Sequence, residues 1–178
     1  MTSSATLAEA PEGLRSATEV VSRFIDAMAR RMTKVVGFSW VATPTAPSIY
    51  PELRAAYELS KQTRSPLPVS SLYCDTVIYP RRQDNYKLRF WHDALHVQTG
   101  LSFDVADELE LGLHHTRIAE REGLRKRSLP WRLLRVDLLG QNYLMAVAKR
   151  FPIDQRKFTE RCIQFGLDEA IEMELHEA

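Results

Sequence analysis

The chain has 178 residues, long enough for one domain with a buried core and no need of disulfide or metal staples. Apolar residues make up 44% and charged residues 26%, and the formal net charge of +1 excludes a global field drawing the chain onto nucleic acid or an anionic membrane. No run approaches the roughly 18 apolar residues of a membrane span, and the N-terminus lacks the regions of a signal peptide. The expectation is therefore a cytoplasmic protein in which Cys74 and Cys162, which form no CxxC pair, are buried and reduced.

Residues 1–13 are small, polar and acidic. They predict a disordered tail ending by residue 14, followed by a single helical domain over 15–178. Ser16-Ala17-Thr18-Glu19 matches a capping box, and Val20, Val21, Phe24, Met28, Met32 and Val35 form an apolar stripe that predicts a helix to about Val36. A second helix is predicted from about Ser48 to Thr63, with Pro51 in its first turn. Pro66, Pro68 and Pro80 mark the stretch from Ser65 to Gln83 as an irregular connection, with Thr76-Val77-Ile78 as a strand-like piece. Further helices are expected over about Asp84–Thr99, stopped by Gly100, over Asp104–Leu124, over Pro130–Arg150, and from an Asp154 cap to Glu174. Short loops favour antiparallel neighbours, so the fold class is all-α: a bundle of five or six helices with an irregular proline-rich connection near 65–83.

The chemistry concentrates in Phe90-Trp91-His92-Asp93-Ala94-Leu95-His96. At roughly 100° per residue, His92 and His96 share one helix face, the spacing at which a helix offers two imidazoles to one metal ion. On that helix Asn85, Arg89, His92, Asp93 and His96 fill a narrow polar gap in an otherwise apolar circumference, facing either water or an internal cavity. On the next, Asp107, Glu110, His114, Arg117 and Arg121 form a solvated face, while Glu108, His115 and Glu122 run as a polar line between apolar flanks. Asp137 and Gln141 fall among Leu133, Leu134, Leu138, Leu144 and Met145, and Glu169 lies on the stripe of Phe158, Cys162, Phe165 and Met173. A carboxylate in such a place needs a partner, because an unpaired buried charge costs several kcal/mol.

Trp91-His92-Asp93-Ala94-Leu95-His96, Gly140-Gln141-Asn142-Tyr143 and Phe151-Pro152-Ile153-Asp154-Gln155 together resemble segments of small helical proteins encoded by bacterial phages and plasmids. The resemblance spans about residues 79–172. It implies a mobile-element origin and carries over no activity.

Two readings of the polar residues stand side by side. In one, His92, His96, Glu108 and Asp137 hold a divalent metal (zinc, manganese, iron or nickel), with His115 and Asp93 as acid–base groups in phosphoester hydrolysis. In the other, the same groups form a structural hydrogen-bond network within an accessory protein that binds a host or phage protein. The HExxH pattern of zinc proteases is absent, since Asp93 follows His92. His92-Asp93 invites comparison with HD-type phosphohydrolases, but no histidine precedes His92 to supply their first ligand. Nothing marks Cys74 as activated, and no Walker A, GxSxG or GxGxxG pattern occurs. A weaker alternative is nucleic-acid binding through Arg125, Lys126, Arg127 and Arg132, which sit beside Trp131 in a basic stretch. Arg81, Arg82, Lys87 and Arg89 form a second such stretch next to Tyr79 and Tyr86.

Overall fold

The computed structural model describes residues 12–74 and 77–177. Helix α1 spans Glu12–Val36, so Ser16 lies inside the helix rather than capping it, and the expected tail falls outside the described residues as far as residue 11. The stripe α1 buries is Ala17, Val21, Ile25, Met28, Ala29, Met32 and Val36, in steps of three and four. Val35, placed on that stripe by sequence, is instead exposed.

Strand β1 (Trp40–Thr43), helix α2 (Tyr50–Thr63) and strand β2 (Leu67–Ser70) follow. The two strands pair in parallel, Trp40 opposite Leu67 and Thr43 opposite Ser70, with α2 as the crossover. The strand-like piece is thus 67–70; Val77 and Ile78 lie in buried bends, and Thr76 lies outside the described residues. Four-residue strands, one of them containing Pro68, are too short to show an alternation that sequence could reveal.

The remainder is helical: α3 (Arg82–Thr99), α4 (Val105–Arg121), α5 (Leu129–Arg135), a π turn (Val136–Gly140), α6 (Gln141–Ala148), α7 (Gln155–Gln164) and α8 (Leu167–His176). Helices α5 and α6 are one continuous rod interrupted by the π turn, as the expected 130–150 helix requires. The expected final helix is divided. Gly166, at φ 105, breaks it into α7 and α8, which fold back on one another. Asp154 does cap α7, accepting a hydrogen bond from the Lys157 N–H at 2.9 Å.

The main core joins α1, α3, α4 and α5 with both strands, and a small second cluster of Leu144, Phe158, Cys162 and Ala170 seats α7 and α8 against α6. Both cysteines are buried and free. Among the described residues, no helix is long and apolar enough to cross a membrane.

The contact that fixes the functional region is between α4 and the π turn. A Cβ on Gly112 would lie 2.5 Å from Leu139 Cδ2 and 3.0 Å from the Leu138 carbonyl oxygen, so only glycine permits this approach. Gly112 lies between Glu108 and His115 on the inner face of α4, which makes its packing a condition of their placement. Gly112→Ala is expected to lower stability by about 1–3 kcal/mol, read as a shift of the urea midpoint at constant slope. An unchanged midpoint would contradict the close packing.

Candidate metal centre

The site begins at the end of α3. Gly100, in the left-handed region at φ 76, ends the helix and donates its N–H to the His96 carbonyl at 2.9 Å. The turn brings the Leu101 carbonyl oxygen to 3.0 Å from His96 Nδ1. A carbonyl only accepts, so Nδ1 carries the proton and the bare nitrogen of a neutral His96 is Nε2. This Nε2 lies 2.9 Å from His92 Nε2 and 3.3 Å from Glu108 Oε1. Glu108 reaches in from α4, with Oε2 3.3 Å from His92 Nε2. One donor atom from each of His92, His96 and Glu108 therefore falls within 4.8 Å of the others. His96 is fully buried and its two companions partly so.

Burial alone would raise the Glu108 carboxyl, but hydrogen bonds from His92 and His96 and their charges outweigh it and hold the group well below the usual carboxylate range. For His92, burial pulls the pKa down. The bond and charge of Glu108, with the charges of Asp93 and Asp137, raise it above 6.5 overall. Both shifts favour a protonated His92 facing an ionised Glu108.

His115 sits behind His92. Its Nε2 is 3.2 Å from His92 Nδ1, the two rings stack with centroids 5.3 Å apart, and Trp91 closes the other side at 4.1 Å. Burial first, then the charges of His92, His114 and His96, push its pKa well below the usual histidine value, so it stays neutral. Its Nδ1 is buried with no hydrogen-bond partner among the described residues. This arrangement links two proton orders. When His92 Nε2 is bare, His92 Nδ1–H donates to His115 Nε2 and the His115 proton is left on its unpartnered Nδ1. In the reverse order His115 donates, and His92 Nε2 keeps a proton. His115 therefore orients His92 instead of facing substrate.

A cavity of about 570 Å³ opens beside the trio, lined by His92, Glu108, Arg89, Asp137, Gln141 and Asn142 among others. Asp137 was expected as a fourth ligand. It lines this cavity but is outside the converging group, with Oδ2 accepting from Tyr79 Oη at 2.7 Å and Oδ1 from Gln141 Nε2 at 2.8 Å. Burial raises its carboxyl, against the lowering effect of Tyr79, Arg89, Gln141 and His92. Asn142 donates to Leu138 O at 3.0 Å and lies 3.5 Å from Glu108 Oε2. A straight-helix wheel puts Asn142 on the solvent side; the extra residue of the π turn shifts every later residue by about 100° and brings it to the site. Arg89 donates from Nη1 to Ser70 O at 2.6 Å and is the cavity's one lysine or arginine among the described residues. Neither Asp93 nor His115 lines the cavity.

Other candidates fall elsewhere. Glu169 is exposed, because the break at Gly166 turns it outward; the buried carboxylate there is Glu174, paired with Arg150 at 3.0 Å. Glu122 is exposed and pairs with Arg31. Arg125, Lys126, Arg127 and Arg132 are all exposed around the α4–α5 loop; Arg132 donates to Ile163 O at 2.8 Å, and Glu120 draws in both Trp131 Nε1 (3.1 Å) and Lys126 (3.9 Å). In the second basic stretch Arg81 and Lys87 are paired with Asp84 and Asp26, Tyr79 is buried against Asp137, and Tyr86 is half-buried with its ring 6.1 Å from that of Trp40.

No protein-family model matches the chain, and no curated protein or solved structure matches it either. The geometry of the site carries the functional argument.

Asp93 is half-buried, and burial, against the lowering charges of His92, His96 and Arg89, pushes its carboxyl from 3.8 up to about 6. Below pH 4 it is protonated whether the chain is folded or not, and above pH 6 it is ionised in both states, so the folded state loses stability between these limits. Asp93→Asn should therefore match wild type near pH 4 and become relatively more stable up to pH 6, by about 1–3 kcal/mol once its partial exposure is allowed for. Thermal melts across that range that show a constant difference would contradict this.

Proposed function

We propose that the protein binds one divalent cation through His92 Nε2, His96 Nε2 and a Glu108 carboxylate oxygen, and hydrolyses a phosphoester held in the adjoining cavity. The observation that carries this reading is the convergence of three donor atoms from two helices beside a cavity of about 570 Å³. Two imidazoles and a carboxylate suit zinc, manganese, iron(II) or nickel, and three protein ligands leave positions open toward the cavity. Such a cation, when bound, supplies Lewis acidity toward a phosphoryl oxygen and the attacking water.

The chain's own groups then have distinct tasks. The Leu101 carbonyl fixes His96 with Nε2 bare, and His115, when it accepts from His92 Nδ1–H, leaves His92 Nε2 bare as well. Arg89 sets a positive charge on the cavity wall for the anionic group of the substrate. Asp137, half-buried and braced by Tyr79 and Gln141, is the carboxylate available to receive a proton from the attacking water. The resemblance of residues 79–172 to phage- and plasmid-encoded proteins adds an origin to this proposal and no activity.

A second reading has its own support. The chain from Leu101 O through His96 and His92 to His115 can be hydrogen-bonded end to end with no metal, His115 donating to His92 and His92 donating to His96. The two readings separate in one experiment. Protein without a histidine tag, titrated with zinc, manganese, iron(II) or nickel, is expected to take up about one equivalent of at least one of them, lost in His92→Ala, His96→Ala and Glu108→Gln. Because a proton on His92 competes with the cation, apparent affinity should fall about tenfold for each pH unit below the raised His92 pKa. No uptake of any of the four, or equal uptake by the variants, would overturn the metal reading and leave the network.

A further inference from the structure

The residues at the outer end of the cavity are of another kind from those at its base. Tyr73 is 80% exposed, Phe151 52% and Ile153 64%. Exposed aromatic rings lose the benefit of burial, so two of them at one cavity mouth need a reason. Tyr73 also holds a left-handed backbone at φ 56, a conformation unfavourable for a side chain of this size. The strained turn is secured on both sides. The Leu72 N–H donates to Ser70 Oγ at 3.3 Å, and Asn85 Nδ2 donates to Cys74 Sγ at 3.2 Å. Phe151 and Ile153 sit on a loop that is anchored as firmly, since the buried Glu174 accepts from the Ile153 N–H at 2.7 Å and from Arg150 Nη1 at 3.0 Å. The backbone that carries both rings is therefore braced by its neighbours before any ligand arrives.

The cavity lining includes two of the proposed cation ligands, His92 and Glu108, one guanidinium, and two exposed aromatic rings. We propose that its substrate is a small phosphoester bearing a flat aromatic ring, with Arg89 receiving the phosphoryl group and Tyr73 and Phe151 receiving the ring. The cavity's volume lies within the usual range for small-molecule sites, about 300–1,000 Å³. The proposal rests on the metal reading for catalysis, though the ring preference is a property of the mouth alone. A simple aryl ring and a nucleobase present the same chemistry to these side chains, and the test separates them.

Calorimetric titration of the zinc-loaded protein with inorganic phosphate, glycerol phosphate, phenyl phosphate and adenosine monophosphate measures the preference directly. Phenyl phosphate, adenosine monophosphate or both should bind about tenfold more tightly than glycerol phosphate, and whichever leads identifies the ring. Tyr73→Gly should remove about fivefold of that preference and leave inorganic phosphate unaffected. Glycine relieves the left-handed strain, so the thermal midpoint of this variant should hold or rise, which excludes misfolding as the cause. Phe151→Ala should reduce the same preference. Equal binding of all three esters, or an unchanged preference in both variants, would overturn the proposal. If the protein takes up no zinc, the metal reading falls, and the same titrations on metal-free protein, in which Arg89 still meets the phosphate, decide the ring preference.

Discussion

Glu108 facing two imidazoles across the α3–α4 contact is the interaction on which the rest of this molecule is arranged. A largely buried carboxylate stays ionised only if its partners supply enough positive charge or hydrogen bonding to offset lost hydration. Here His92 and His96 do so from successive turns of one helix, each oxygen of Glu108 lying 3.3 Å from one of them. The surrounding features serve this placement. Gly100 ends α3 where the Leu101 carbonyl can hold His96, Gly112 lets α4 approach the π turn, and Asp137 in that turn, with Gln141 and Asn142 just after it, lines the same cavity. Each of these is a backbone device at a point where a regular helix would have placed the side chains differently.

On the proposed metal reading, a proton and a metal ion compete for one place in the same trio. With no cation, the raised His92 pKa and the lowered Glu108 pKa keep the proton on the imidazole and leave the carboxylate ionised. A cation takes that proton's position when His92 presents a bare Nε2, which sends the His92 Nδ1 proton toward His115 and leaves the His115 Nδ1 proton without an acceptor. An unsatisfied buried N–H costs about 1–3 kcal/mol. That is small against the roughly 10–16 kcal/mol available from a structural zinc site. On that reading the hydrogen-bonded chain and the proposed metal centre would be two protonation states of one architecture.

Much of the site could be read from residue spacing. The four-residue interval of His92 and His96 put them on one face in a polar strip but left open whether that strip met water or an interior, while the seven-residue spacing of Glu108 and His115 placed those two on the semi-buried flank of the next helix. Asp137 was legible as a polar residue among leucines, which located its side chain in the interior but could not say that Tyr79 and Gln141 would satisfy it. What failed to show were departures from regular helix. The wheel extended unbroken through residue 165 and so chose Glu169 over Glu174, and it ran through the π turn and so set Asn142 in solvent. The strand pair escaped notice because four-residue strands carry no usable period, and the left-handed Tyr73 because nothing in a tyrosine's chemistry announces φ 56.

The central claim is that one cation sits among His92, His96 and Glu108, and anomalous diffraction from a zinc-soaked crystal at the zinc absorption edge tests it most directly. The account predicts a single strong peak about 2.0–2.2 Å from His92 Nε2, His96 Nε2 and a Glu108 oxygen, with the open side toward the cavity. A well-occupied structure with no peak there, or with zinc only at surface histidines such as His176, would contradict it.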